Sequence, residues 1–408
     1  MAMFNQDLYL GGKVVGIGKT RKDGSFEYRE LENPVHNRIV AKGLDNLLTY
    51  NGDDALPDSI YSVSGFLVMG CDWYYGGRWG NGGVMTYSRV GDSNTPTSFH
   101  DTELGHPTTE ITGNTRRDNP YCGTKAVGDR TIGYRVTHQH DITESGQVKE
   151  IGWYKKVKDN YELFSRVVLD FPIDVDAGET LWVTYELDMT FMKKTNVVVP
   201  GVVDIDGNPL QAEVTNTRYI TNYGDRWTDP SGDTGCPIFV YRDSYSSDFA
   251  YTYGYGRYSS SSHRWSQAFT PIWTWHTWED YSGGAYNGIM AVIGSDAQIN
   301  YTGNVTTNPV GRPALEFTNQ GIRKIHKYRL GSFYRDATIT LGASWPSMNT
   351  EEYRDISQII VNSTSYKFGY WDNTDPDNPV WVPQYYRKRR DRVWTITFRQ
   401  AFHTPDNP

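Results

Sequence analysis

ELFSRVVLDFPIDVDAGETLWVTYELDMTF, residues 162–191, holds two runs of alternating apolar and polar side chains on either side of Asp, Ala and Gly at 176–178. A period of two sends successive side chains to opposite faces of a strand. The same pattern recurs upstream in SGFLVMG (64–70), RTIGYRVTHQH (130–140) and QVKEIGWYKK (147–156), each bounded by Gly, Asp, Asn or Pro. Short strands at this spacing predict an all-β sandwich or jelly roll.

Composition points the same way. Tyr and Trp, 30 and 13 in number, suit pleated, half-buried surfaces, and 40 Gly with 19 Pro supply many turns. One stretch breaks the pattern. In NRIVAKGLDNLLTYNG (37–52), Ile39, Val40, Leu44, Leu47 and Leu48 gather on one helical face and Asn51-Gly52 closes it, so one short helix packed on a sheet is expected. The fold class expected is all-β with one short helix, in two tandem β-sandwich or jelly-roll-like domains.

A chain of 408 residues is long for one core. The expected division is 1–195 and 196–408, with NVVVPGVVDIDGNPL (196–210) leading into the second unit. In that unit RDATITLGASW (335–345), EEYRDISQIIVNS (351–363), VWVPQYYRK (380–388) and RVWTITFRQAF (392–402) correspond loosely to DRTIGYRVTHQH, SGQVKEIGWYKK, YELFSRVVL and TLWVTYELDMTF. Between the matched parts lies an insert, about 220–290, low in aliphatics and dense in Tyr, Trp, Ser and Gly. Its rings either bury against the second sandwich or are presented to a partner.

The formal charge of -8 gives no general attraction to nucleic acid or anionic lipid. MAMFNQDLYLGG lacks the basic-then-apolar layout of a signal peptide, and no apolar run approaches a membrane span, so synthesis in a cytoplasm without membrane insertion is expected. Cys71, Cys122 and Cys236 are odd in number and widely separated, which suggests neither a disulfide framework nor a zinc site.

VGDSNTPTSFHDTELG (90–105) is the donor-rich loop of the chain, with Asp92, His100, Asp101, Glu103 and, just beyond, His106. His138 and His140 would project from one face of a strand. The spacing matches neither an EF-hand nor an HExxH pair, and no metal or other cofactor is expected. The plainer reading gives the loop turn-capping roles for Asp92, Asn94 and Thr95, a φ fixed by Pro96, and a short helical turn starting at Asp101-Thr102 with Leu104 packed inward. GxSxG, GxxxxGK[ST] and the Rossmann glycines are all missing, and no enzymatic activity is expected.

Three groups stand out as candidate contact residues. Trp73, Tyr74, Tyr75 and Trp79 lie in DWYYGGRWGNGG, and Tyr255, Trp273, Trp275 and Trp278 lie in the insert. Trp273, Trp275 and Trp278 are either core, subunit interface or a platform for a sugar ring. The basic run YYRKRRDR contributes Arg387, Lys388, Arg389, Arg390 and Arg392, expected at a turn between two C-terminal strands, either as a solvated tip or docked on an acidic neighbour.

Taken in order, NRIVAKGLDNLL, FLVMG, VGDSNTPTSFHDTELG, GQVKEIGWY and the opening stretch resemble a recurrent module of tailed-bacteriophage virion proteins. In that module an N-x-[IV]-V-x-x-G-L-x-x-L helix precedes a strand and a G-x-x-x-T-P-x-x-x-D-T-x-L loop. An E-I-G strand, an L-F-x-R strand and a V-T-[YW] strand close it. The match places Gly43, Leu44 and Leu47 in the helix, and Gly91, Thr95, Pro96, Asp101, Thr102 and Leu104 in the loop. In the closing strands it takes Glu150, Ile151, Gly152, Leu163, Phe164, Arg166, Leu181, Val183, Thr184 and Tyr185. It spans about residues 36–191, and 196–408 carries no equally clear resemblance. The Asp92-Ser93 pair and the Tyr/Gly/Trp insertion depart from the pattern. The resemblance implies a structural virion component, in the tail, neck or fibre-attachment region, that acts through contacts with its own copies and neighbouring virion proteins. The alternatives are a tail protein that binds a host receptor or surface glycan, a capsid decoration protein, or a polysaccharide depolymerase.

Overall fold

The computed structural model is almost entirely β, with one short helix. It describes residues 2–48, 85–113, 115–116, 123–128, 131–157, 160–216, 240–241, 256–259, 264–268, 290–294, 298–299, 305–306, 315–317, 322–325, 330–341, 352–361 and 364–405. In chain order the first elements are β1 (Ala2–Thr20), β2 (Phe26–His36), β3 (Arg38–Ile39), α1 (Ala41–Leu48), β4 (Tyr87–Gly91), β5 (Thr115–Arg116) and β6 (Gly123–Gly128). They continue with β7 (Thr131–Asp141), β8 (Gly146–Val157), β9 (Asn160–Val175), β10 (Thr180–Phe191), β11 (Lys194–Val203) and β12 (Pro209–Asn216). Later strands are named by their residues.

Three large sheets result. A nine-stranded sheet runs Ile322–Ile325, Tyr334–Leu341, Trp394–His403, β1, β10, β7, β5, with β2 also on β1 and β6 also on β7. A four-stranded sheet has the order β3-β9-β8-β4. An eight-stranded sheet runs β11, β12, Thr364–Asp372, Tyr353–Val361, Met290–Gly294, Leu315–Phe317, with Val380–Pro383 and Tyr386–Arg389 added alongside.

The nine-stranded sheet is a shared wall. Its Leu10, Val14, Val136, Val183 and Leu187 meet Ile151, Trp153, Phe164 and Val167 of the four-stranded sheet in one core. Trp153 stacks on Tyr185 there, with ring centroids 3.9 Å apart. Further along the same wall, Phe4, Ile396 and Phe398 meet Val199, Leu210, Ile359, Tyr366 and Phe368 of the eight-stranded sheet in a second core. Each fully buried aliphatic or aromatic side chain contributes about 1.5–3 kcal/mol. The wall is continuous across residue 195, because the last strand, Trp394–His403, pairs in parallel with the first, from Ala2↔Ile396 to Tyr9↔His403.

Period-two patterning explains how β1 serves both cores. Ala2, Phe4, Leu8, Leu10 and Val14 are all buried and all even-numbered. A register shift between Val14 and Gly16 then brings Ile17 inward. Tyr28 lies across Gly16 where a side chain would stand, and its hydroxyl donates to Thr184 Oγ1 at 3.1 Å.

The two halves repeat a path. β7 and β10 pair in the wall, and the β8–β9 hairpin between them lies in the facing sheet. Likewise Tyr334–Leu341 pairs with Trp394–His403 in the wall, and the hairpin of Tyr353–Val361 and Thr364–Asp372 lies in its facing sheet. The strand equivalent to β9 is therefore Thr364–Asp372. VWVPQYYRK is instead two short strands, Val380–Pro383 and Tyr386–Arg389, added on that sheet.

The helix starts later than expected, at Ala41, and its expected close at Asn51-Gly52 lies outside the described residues. Ile39 belongs to β3 and Val40 precedes α1, since the Arg38 and Ile39 backbone pairs with Arg166 and Ser165 of β9. Gly43 sits against the Phe164 backbone, where a Cβ would collide with the carbonyl. That close approach seats α1 on β9. SGFLVMG lies outside the described residues.

Candidate functional site

The donor-rich loop is built on β4, β8 and β9. After β4 the chain turns back along its edge, with Asp92 N–H donating to His106 O, Thr108 N–H to Val90 O, and Ser88 and Thr112 exchanging bonds. Beneath the loop lies Arg166 of β9, and across from it Glu150 of β8. Their side chains are 2% and 0% exposed.

Every polar edge of this pair is used. Arg166 Nε donates to Glu150 Oε2 at 2.9 Å, Nη1 to Asp101 Oδ2 at 2.8 Å, and Nη2 to the Thr95 carbonyl at 2.9 Å. Glu150 also accepts the backbone N–H groups of Gly105 (3.0 Å) and His106 (2.7 Å). Asp101 further accepts Ser98 N–H at 2.9 Å. Burial opposes the Arg166 charge, but hydrogen bonds and attraction from Asp101 and Glu150 outweigh it and raise its pKa.

Glycines make room for the network. A side chain at Gly91 would strike His106 O and the Glu150 carboxylate, and one at Gly152 would come within 2.9 Å of Leu104. Leu104 packs inward as expected. The expected helical turn at Asp101-Thr102 is not formed, because the Asp101 carboxylate is drawn down to Arg166 and closes a turn with Ser98 instead.

The loop also reaches sideways. Ala41 N–H, at the start of α1, donates to Phe99 O at 2.8 Å, and Arg38 Nη1 donates to Thr97 O at 2.7 Å. Phe99 packs edge-on against Phe333 of the C-terminal half, centroids 5.7 Å apart. Asp45 of α1 accepts Gly331 N–H at 2.8 Å. Phe333 has a φ of 54°, a left-handed conformation that bulky residues rarely adopt. Its carbonyl is held by Phe402 N–H at 2.9 Å.

The remaining donors are dispersed. His106 is bonded to Asp92 on the exposed rim, and His100 is exposed. Glu103 accepts the Tyr154 hydroxyl and the Leu104 N–H. His138 and His140 do share one face of β7 and are buried. Their Nε2 atoms lie 3.0 Å from Thr86 O and 3.0 Å from Ser88 Oγ. Burial lowers their pKa values to about 4 and about 3. Among the described residues, no group of three or more His, Cys, Asp or Glu is placed to hold a metal.

The basic run covers the strand Tyr386–Arg389 and the turn that leads from the eight-stranded sheet to the nine-stranded one, and its cations have separate roles. Arg387 pairs with both Asp355 oxygens, at 2.7 and 2.8 Å, and lies 4.0 Å above the Tyr353 ring. Lys388 is fully buried and its ammonium caps the Arg389 and Arg392 carbonyls. Arg389 reaches Asp391 at 3.3 Å, and Arg390 and Arg392 are exposed. Trp73, Tyr74, Tyr75, Trp79, Tyr255, Trp273, Trp275, Trp278 and the three cysteines lie outside the described residues.

Sequence reasoning missed the Arg166–Glu150–Asp101 centre. The signal was present in opposite charges inside two strands otherwise apolar at neighbouring positions, VKEIGW and LFSRVV. What the arrangement does chemically is immobilise: its carboxylates are consumed by a guanidinium and by backbone N–H groups. No protein family, curated protein or solved structure matches the chain.

Proposed function

We propose that the chain is a structural component of a tailed-phage virion, in the tail, neck or fibre-attachment region, working through contacts with copies of itself and with neighbouring virion proteins. One observation carries this reading. The residues that bear the resemblance converge on a single buried framework: Gly43 against Phe164, and Gly91, Thr95, Asp101, Glu150, Gly152 and Arg166 around one ion network. They fix a surface loop to a β-sandwich, with the Glu150 and Asp101 carboxylates bonded to Arg166 and to backbone N–H groups. A protein that works by presenting fixed surfaces to neighbours has that need, since ordering a loop beforehand lowers the cost of association.

The test is to purify tailed particles from a host carrying this sequence and to look for the chain in gradient-banded particles by mass spectrometry and antibody labelling. Co-migration with particles and label at the tail, neck or fibre base is expected. A chain left behind in the soluble fraction overturns the proposal.

A further inference from the structure

The two parts of β1 have different partners. From Leu8 onward it pairs with β10, and Leu8, Leu10 and Val14 enter the first core. Ala2 and Phe4 enter the second core. Among the described residues, residues 2–7 pair with one strand alone, Trp394–His403.

Phe4 is the anchor. Its ring stacks on Phe398 (centroids 5.5 Å) and Phe368 (6.0 Å) and tilts against Tyr366 at 4.9 Å. Without residues 2–7 the second core has a hole the size of a phenyl ring. The edge of the last strand from Ile396 to Ala401 is then also bare. A bare edge of that length is a template for an incoming strand.

The covalent route from the strands of the first core to those of the second is short and lies outside the strands, with Met192 N–H donating to Asp7 O at 3.0 Å. β10 ends at Phe191 and β11 begins at Lys194, leaving Met192 and Lys193 between them. Across such a connection the second core can be completed by the segment of the same chain or of a neighbour, with identical contacts either way. Supply from the same chain corresponds to an effective concentration on the order of millimolar, so exchange needs copies crowded to a similar level.

We propose that residues 2–7 form an exchangeable strand, and that the Phe4 socket beside Trp394–His403 is an interaction site for the same segment of a second copy of this chain. The proposal stands on the sheet geometry and is independent of the virion reading.

The parallel register sets Asn5 directly across from Arg399, on the face turned away from the core. The double variant Asn5→Cys, Arg399→Cys tests that register: its oxidation should join the two positions. Exchange is read from the two single variants, mixed, unfolded and refolded together at high concentration. A covalent dimer is expected whose digest shows positions 5 and 399 linked, as distinct from links through Cys71, Cys122 or Cys236. Its yield should rise with protein concentration and vanish when Phe4→Asp is added to the Asn5→Cys chain. A double variant that closes only within one chain, beside a mixture that gives no such dimer, overturns the proposal. So does a dimer that survives Phe4→Asp, or a double variant that forms no link at all.

Discussion

Arg166 and Glu150, on adjacent strands β9 and β8, form an ion pair sealed from solvent, with Nη2 2.8 Å from Oε2. Removing one partner of a buried pair leaves an unpaired charge in the core, at a cost of about 3–5 kcal/mol. Glu150→Gln leaves Arg166 with Asp101 as its remaining carboxylate partner, so it should lower stability by about 3 kcal/mol, the low end of that range, in urea unfolding. Combining it with Arg166→Met should recover part of the loss, because the buried guanidinium that had lost one of its two carboxylates is gone; a double variant as unstable as the sum of the two singles would refute the pairing as the cause.

Gly43 reverses a familiar sign. Inside a helix, Gly→Ala ordinarily stabilises by about 1 kcal/mol. Here the new methyl would enter the Phe164 carbonyl, so Gly43→Ala should instead destabilise by about 1–3 kcal/mol. Thermal unfolding measures it, and a raised melting temperature would contradict the close approach of α1 to β9.

His138 and His140 give the fold an acid sensitivity with a defined window. Both are buried as neutral rings with folded pKa values of about 4 and about 3, against 6.5 ordinarily. Their effect on stability is absent above pH 6.5, where neither state is protonated. Below it the unfolded chain takes up protons first, and stability falls progressively toward pH 4, by on the order of 3 kcal/mol for His138 alone. Replacing both by Gln should flatten the stability profile over that window, and an unchanged slope would assign acid sensitivity to other groups.

Phe4→Ala should cost about 3–5 kcal/mol, the usual range for truncating a buried Phe. The loss should be localised. Hydrogen exchange should accelerate along Trp394–His403, whose edge residues 2–9 cover, while β10 and β7 keep their protection. Uniform acceleration across the wall would show that the two cores unfold as one.

Alternation made the strands legible, because a half-buried sheet imposes it locally: β7, β8, β9 and β10 all lie where the period of two placed them. Pairing across the chain carries no such local imprint. The parallel contact of Ala2–Tyr9 with Ile396–His403 joins strands almost four hundred residues apart, and nothing in AMFNQDLY announces it. The helix was overextended because Ile39 and Val40 suit a helical face and a strand equally well, and the backbone of β9 decided between them. At the loop, Asp101 was legible as a turn former. Its longer reach to Arg166, 65 residues away, belongs to the tertiary fold.

The shared wall also has a mechanical consequence. Load applied through residue 2 and residue 403 would pull along two parallel neighbours in opposite directions, because Ala2 pairs at the start of the contact and His403 at its end. All the rungs between them would then carry the force together, in shear, instead of parting one after another. The first and last strands thus form a clamp that resists tension along their common axis.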